Sequence, residues 1–141
     1  MAEQNERIYE GIWQCTYWFP SNNHDGEDPS EYEMQVKQTG NKLILESLPN
    51  ESGAYMVVRL VLNGTLATGK WEETTSPTGE FQGMIYSGAL QLIVNDEQNR
   101  MDGMWVGVGR SHELNKPQIY SGRWELSRRQ SQDLTTGVYV G

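Results

Sequence analysis

A glycine two residues ahead of a tryptophan recurs at Gly11-x-Trp13, Gly69-x-Trp71, Gly103-x-Trp105 and Gly122-x-Trp124. In an extended chain residues i and i+2 share a face, so each indole lies beside a position without a side chain. Such a gap gives a large ring room against neighbouring backbone. The first copy sits in a stretch where Tyr9, Gly11, Trp13, Cys15, Tyr17 and Phe19 alternate with Glu10, Gln14 and Thr16. Ile12 and Trp18 interrupt the polar set. Alternation over this length predicts a strand with one face in a core.

The pattern repeats down the chain with turns between. Tyr32, Met34 and Val36 alternate with Glu33, Gln35 and Lys37, and Gly40-Asn41 reads as a hairpin turn that sets Val36 opposite Leu45. Asn63-Gly64 reads as a second turn. It puts Leu62 against Thr65, Leu60 against Ala67, Val58 against Gly69 and Met56 against Trp71, with Arg59 on the solvated face. A one-residue slip would turn that whole apolar set to water. Inner faces follow at Met84, Tyr86, Gly88, Leu90, Leu92 and Val94, then at Met101, Gly103, Trp105, Gly107 and Gly109, then at Tyr120, Gly122, Trp124 and Leu126. Short turns follow the second, fourth and sixth strands, and longer loops at 20–30, 48–53, 75–83 and 110–118 follow the others. This asymmetry predicts an all-β fold, an eight-stranded antiparallel up-and-down barrel with a closed base and an open mouth. A two-sheet sandwich is the alternative. The domain reading is a polar N-terminal segment over 1–8, the barrel over 9–127 and a flexible tail over 128–141.

Charge narrows the partners. A net charge of −8 opposes contact with phosphate backbones and anionic lipid, so neither nucleic acid nor membrane is expected. No apolar run approaches the roughly 18 residues of a membrane span, and the polar start lacks the apolar stretch of a signal peptide. The lone Cys15 excludes an internal disulfide and, on the core face of the first strand, reads as a small buried residue in a reducing compartment. The expectation is a cytoplasmic protein, or a domain cut from a longer chain. The chain has no phosphate-binding glycine loop, no Cys-x-x-Cys and no His-x-x-x-His. His24 and His112, with Asp25, Glu27 and Glu113 nearby, read as exposed loop residues. Neither a metal nor a cofactor is expected.

The informative chemistry is aromatic. Trp13 and Trp124 should plug the base, while Trp71, Tyr86, Trp105 and Tyr120 lie nearer the mouth. Inward glycines, Gly107 among them, suggest space that either the indoles or a ligand fills. The candidate ligand-binding residues are Tyr17, Tyr32, Trp71, Glu73, Tyr86, Trp105, Arg110 and Tyr120. Flat rings beside polar tips suit a planar, polar small molecule. The leading expectation is a non-enzymatic sensor or carrier. A second is a protein-interaction module or homo-oligomer that uses exterior Trp18, Val57, Val61 and Leu66. A third is a cryptic barrel enzyme with Glu73 as base.

Two resemblances bear on this. Gly11-Ile12-Trp13 on the first of eight strands resembles the calycins, that is the lipocalins, fatty-acid-binding proteins and avidins. Lipocalins place a basic residue across the barrel end from that tryptophan, which implies Arg128 or Arg129 in that role. Residues 9–127 more strongly resemble the β-rich domain behind a helix-turn-helix in actinomycete-type transcriptional regulators. The matching stretches include Gln38-Thr-Gly-Asn-Lys-Leu43, Ala67-Thr-Gly-Lys-Trp-Glu-Glu-Thr-Thr-Ser-Pro-Thr-Gly79, Met104-Trp-Val-Gly-Val-Gly109 and Gly122-Arg-Trp-Glu-Leu126. That resemblance implies a ligand-sensing or partner-binding module. The helix-turn-helix is missing from this chain, so DNA binding does not carry over. A looser similarity is to the barrel domains of bacterial immune receptors that bind cyclic nucleotides.

Overall fold

The alternating segments become one continuous antiparallel sheet. A computed structural model of the chain describes residues 8–20, 25–78, 83–111 and 116–129. Its strands are β1 (Gly11–Pro20), β2 (Glu27–Thr39), β3 (Lys42–Ser47), β4 (Tyr55–Asn63), β5 (Leu66–Thr74), β6 (Ile85–Val94), β7 (Arg100–Ser111) and β8 (Lys116–Arg128). Each pairs with its successor, and β8 returns to β1, so the barrel closes in chain order. The sandwich alternative falls with that closure.

The first hairpin has the expected register, with Val36 opposite Leu45 and Thr39 opposite Lys42. The second does not. Asn63 pairs with Leu66, so the turn residues are Gly64 and Thr65, and Leu60 faces Gly69 while Val58 faces Trp71. Gly64 has φ 63°, and among the described non-glycine residues only Gln98 has a positive φ. A turn that needs positive φ at its first central position alone, as in the II′ type, selects Gly-Thr over Asn-Gly. Each β5 partner moves by two residues, so the inner face is preserved.

Strands also run further into the mouth than their sequence suggests. β2 starts at Glu27 and takes in Pro29, while β7 and β8 pair as far as Ser111 and Lys116 and take in Pro117. The loops expected over 20–30 and 110–118 shrink accordingly. Both prolines sit on free edges. β3 ends opposite Met34, leaving β2 around Pro29 paired with β1 alone. β1 pairs with β8 only from Trp124 to Arg128, leaving Pro117 paired with β7 alone. A proline lacks the donor a second partner would need, so it is tolerated at such edges.

The lower barrel is solid. Trp13, Met34, Leu43, Met56, Leu92, Met101, Trp124 and Leu126 are each at most 1% exposed. The N-terminal segment crosses beneath them. Buried Tyr9 accepts the Trp13 indole N–H at its carbonyl (2.9 Å) and donates its own N–H to Gln38 Oε1 (3.1 Å). Arg128 clamps this segment from the other side. Its guanidinium lies 5.0 Å from the Trp13 ring centroid and donates to the carbonyls of Ile8 and Glu10. Arg128 thus ends β8, and the Arg129 N–H bonds to the Ile12 carbonyl (2.9 Å). The barrel boundary therefore moves out to include residues 8, 128 and 129. The tail expected beyond that, 130–141, lies outside the described residues.

The repeated glycines act differently from expectation. For Trp71 and Trp105 the glycine against the indole is the cross-strand partner on the next strand, not the one two residues ahead. Trp71 faces Gly88, Trp105 faces Gly122 and Trp124 faces Gly103. A Cβ on Gly88 would lie 1.9 Å from Val106 O and 2.8 Å from Trp71 Nε1, and one on Gly107 would lie 2.6 Å from the Trp71 ring. The space above these glycines is filled by indole and backbone.

Candidate functional site

Three inner-face side chains meet across the barrel halfway to the mouth. Tyr17 on β1 and Tyr32 on β2 are diagonal neighbours, since Tyr17 pairs with Ser30 and Cys15 pairs with Tyr32. Glu73 projects from β5, where its partners are Met56 and Tyr86. The Tyr17 hydroxyl donates to Glu73 Oε1 (2.7 Å) and the Tyr32 hydroxyl donates to Oε2 (2.5 Å). Phenol donors to a carboxylate are charge-assisted and shorter than neutral pairs. Burial raises the pKa of both phenols, and Glu73 raises it further, so both stay protonated donors well past neutral pH. Burial, then Glu73, likewise raises the thiol pKa of fully buried Cys15 below them.

This clasp rests on the aromatic layer. The Tyr17 ring stacks on Trp124 with centroids 5.0 Å apart and planes 16° apart. Trp105 meets Tyr17 edge-on at 6.2 Å, and Trp71 meets Trp105 edge-on at 5.6 Å. Both mouth-side indoles are fixed by their N–H groups. Trp71 Nε1 donates to the carbonyls of Ala89 (3.2 Å) and Val106 (3.3 Å). Trp105 Nε1 donates to the Trp18 carbonyl (2.8 Å). Trp18 is the first β1 residue beyond the β1–β8 ladder. The same seam is covered outside by Arg123, whose guanidinium lies 4.0 Å from the Trp18 ring centroid.

Above this floor lies a cavity of about 390 Å³. Trp71 and Trp105 line its bottom, Tyr86 and Tyr120 its sides, and Phe19 and Pro20 the edge at the β1–β8 seam. Glu73 is the one charged residue among the described lining. The buried Thr75 hydroxyl, on the same lining, has no hydrogen-bond partner among the described residues, and neither has the Trp124 indole N–H beneath. Among the described residues, no three of His, Cys, Asp and Glu come together as a metal-ligand set.

Of the residues singled out by sequence, Tyr17, Trp71, Glu73, Tyr86, Trp105 and Tyr120 line this one cavity. Tyr32 is buried off this lining and joins it through its hydrogen bond to Glu73. Arg110 pairs with Pro117 in the β7–β8 ladder, but its side chain, like His24 and His112, lies outside the described residues. Sequence reasoning left out Phe19, Ser30, Thr75 and Val108. Parity signals the first three, which alternate in step with Tyr17, Tyr32 and Glu73. Val108 has outward parity, and no sequence signal marks it. The exterior patch expected from Trp18, Val57, Val61 and Leu66 does not assemble. Trp18 lies on β1, across the barrel from β4 and β5, and Val57 is buried. A different outer face is apolar, with exposed Val106 and Met104 on β7, Val108 paired with Ile119, and Ile93 on β6. Comparison with protein-family models, with curated proteins and with solved structures finds no match to this chain.

Proposed function

We propose that this barrel is a non-enzymatic carrier or sensor that holds a small, flat, polar molecule at its mouth. The observation that carries the reading is the half-filled lumen. A packed lower barrel ends at the Tyr17–Glu73–Tyr32 clasp, and a cavity of about 390 Å³ with aromatic walls stands above it. That volume lies in the range of small-molecule sites, and rings around few polar groups are their usual lining. Stacking of Arg128 on Trp13 fits the arrangement that the lipocalin resemblance implies, which supports a carrier over an enzyme.

Native mass spectrometry of the purified protein tests this reading. A retained small molecule, released by replacing Trp71 or Trp105 with alanine, is the expected result. A ligand-free protein whose tryptophan emission no flat polar compound quenches would remove it. The second reading, self-association, is favoured by the apolar outer face around Val106 and Ile119. A dimer in the same spectra, dissociated by Ile119→Asp, would support that reading instead.

A further inference from the structure

We propose that the ligand of this pocket is a flat organic cation carrying N–H donors, such as an amidinium or a protonated amine on a ring, with Glu73 as its counter-charge. The proposal rests on the pocket reading above and adds the chemical class. It follows from which polar groups around the cavity are already engaged. The Trp71 and Trp105 N–H groups are held by backbone carbonyls, and the Tyr17 and Tyr32 hydroxyls are held by Glu73. Four donors close to the cavity are thereby withdrawn from any ligand. The Glu73 carboxylate has two oxygens and about four acceptor sites. The phenols take one on each oxygen, so acceptor capacity remains on both. No lysine or arginine among the described residues pairs with it.

The walls point the same way. Because their N–H edges are tied to the sheet, Trp71 and Trp105 present ring rather than donor to the cavity. Ring faces carry negative potential and attract a cation held over them. An anionic ligand would meet the Glu73 charge with no described basic group on the lining to offset it. The surrounding field reinforces this preference. Glu27, Glu31, Glu51 and Glu72 are exposed at the mouth end of a chain with net charge −8. Such a field raises the local concentration of cations.

The test uses one ring system in three charge states, naphthamidine, naphthamide and naphthoate, titrated calorimetrically into the intact protein at low salt. Naphthamidine should bind at least about tenfold tighter than naphthamide, with naphthoate weaker than both. Glu73→Gln should erase the gap between amidine and amide. Thermal unfolding of that variant checks that it is folded. If naphthamide or naphthoate binds as tightly as naphthamidine, or the preference survives in Glu73→Gln, the cation proposal is overturned and the pocket reading stands. Binding by none of the three would overturn both.

Discussion

Glu73 accepts hydrogen bonds from two tyrosines that reach it from the opposite wall, so each phenol should matter to stability as well as to the pocket floor. A hydrogen bond to a charged group contributes about 1.5–3 kcal/mol, less where solvent reaches it. Tyr17→Phe and Tyr32→Phe should each lower unfolding free energy by about 1–2 kcal/mol in urea titrations. The double variant should lose less than the sum, because both bonds share one carboxylate. The same pair sets an alkaline limit. Burial and Glu73 raise both phenol pKa values in the folded chain. Unfolded phenols ionise at about pH 10, so above that pH the unfolded state holds fewer protons than the folded one. The stabilisation is therefore complete below about pH 10 and is lost as pH rises towards the folded values. Unfolding followed from pH 8 to 12 should show stability falling in that window, more shallowly in the double phenylalanine variant. An equal slope in that variant would show that other groups set the limit.

At the scale of strands, glycine and proline decide where side chains and edges go. Gly107 lies under the Trp71 ring, so a leucine there has no lumen to enter. Overpacking of this kind destabilises by about 1–3 kcal/mol. Gly107→Leu should lower the melting temperature and move Trp71 fluorescence; a variant as stable as the parent would mean that the ring gives way freely. The same packing separates what was legible in the sequence from what was not. Alternation exposed the strands and the inner parity of six cavity residues, because a period of two is a local property of the chain, and the asymmetry of turn and loop lengths exposed the closed meander. The cross-strand partner of each indole was not legible. It depends on register, which the apolar pattern does not set: at Gly64-Thr65 the β4–β5 ladder shifted by two residues with no change in that pattern. The Tyr–Glu–Tyr clasp was also hidden, since it joins residues 56 and 41 positions apart whose meeting requires barrel closure. Pro29 and Pro117 hid the mouth ends of β2 and β8, although both mark free edges. There the β7–β8 ladder from Val108 to Ile119 has no partner on β6 or β1. Hydrogen exchange should therefore be faster at Val108 and Ile119 than at Asp102 and Glu125 of the same hairpin, which have partners on β6 and β1 as well. Equal protection along the hairpin would mean that its edges are covered.

For the whole molecule, the clasp divides the barrel into a solid half that supplies stability and an open half that supplies the cavity. This separation predicts that the two properties can be altered independently. Arg128 lies at the base, where its guanidinium covers Trp13 and holds the carbonyls of Ile8 and Glu10. Burial lowers its pKa from the usual arginine range, with Tyr9 opposing, but the group remains charged. Arg128→Ala would leave those carbonyls and the indole face without their partner and should destabilise by about 1–3 kcal/mol. Arg128→Lys should recover only part of this, because an ammonium cannot both cover the ring and hold two carbonyls as a planar guanidinium does. Neither change should alter affinity for a mouth ligand, since Trp13, Trp124 and the surrounding aliphatic layer lie between Arg128 and Glu73. Effects at distant sites without shared partners add to within a few tenths of a kcal/mol, which is about twofold in affinity. Glu73→Gln should do the reverse, changing ligand preference with the base clamp intact. Urea titration of each variant, with and without naphthamidine, measures both quantities together. If Arg128→Ala weakens binding by tenfold or more while the protein remains folded, the lower barrel transmits strain to the mouth and the two halves act as one unit.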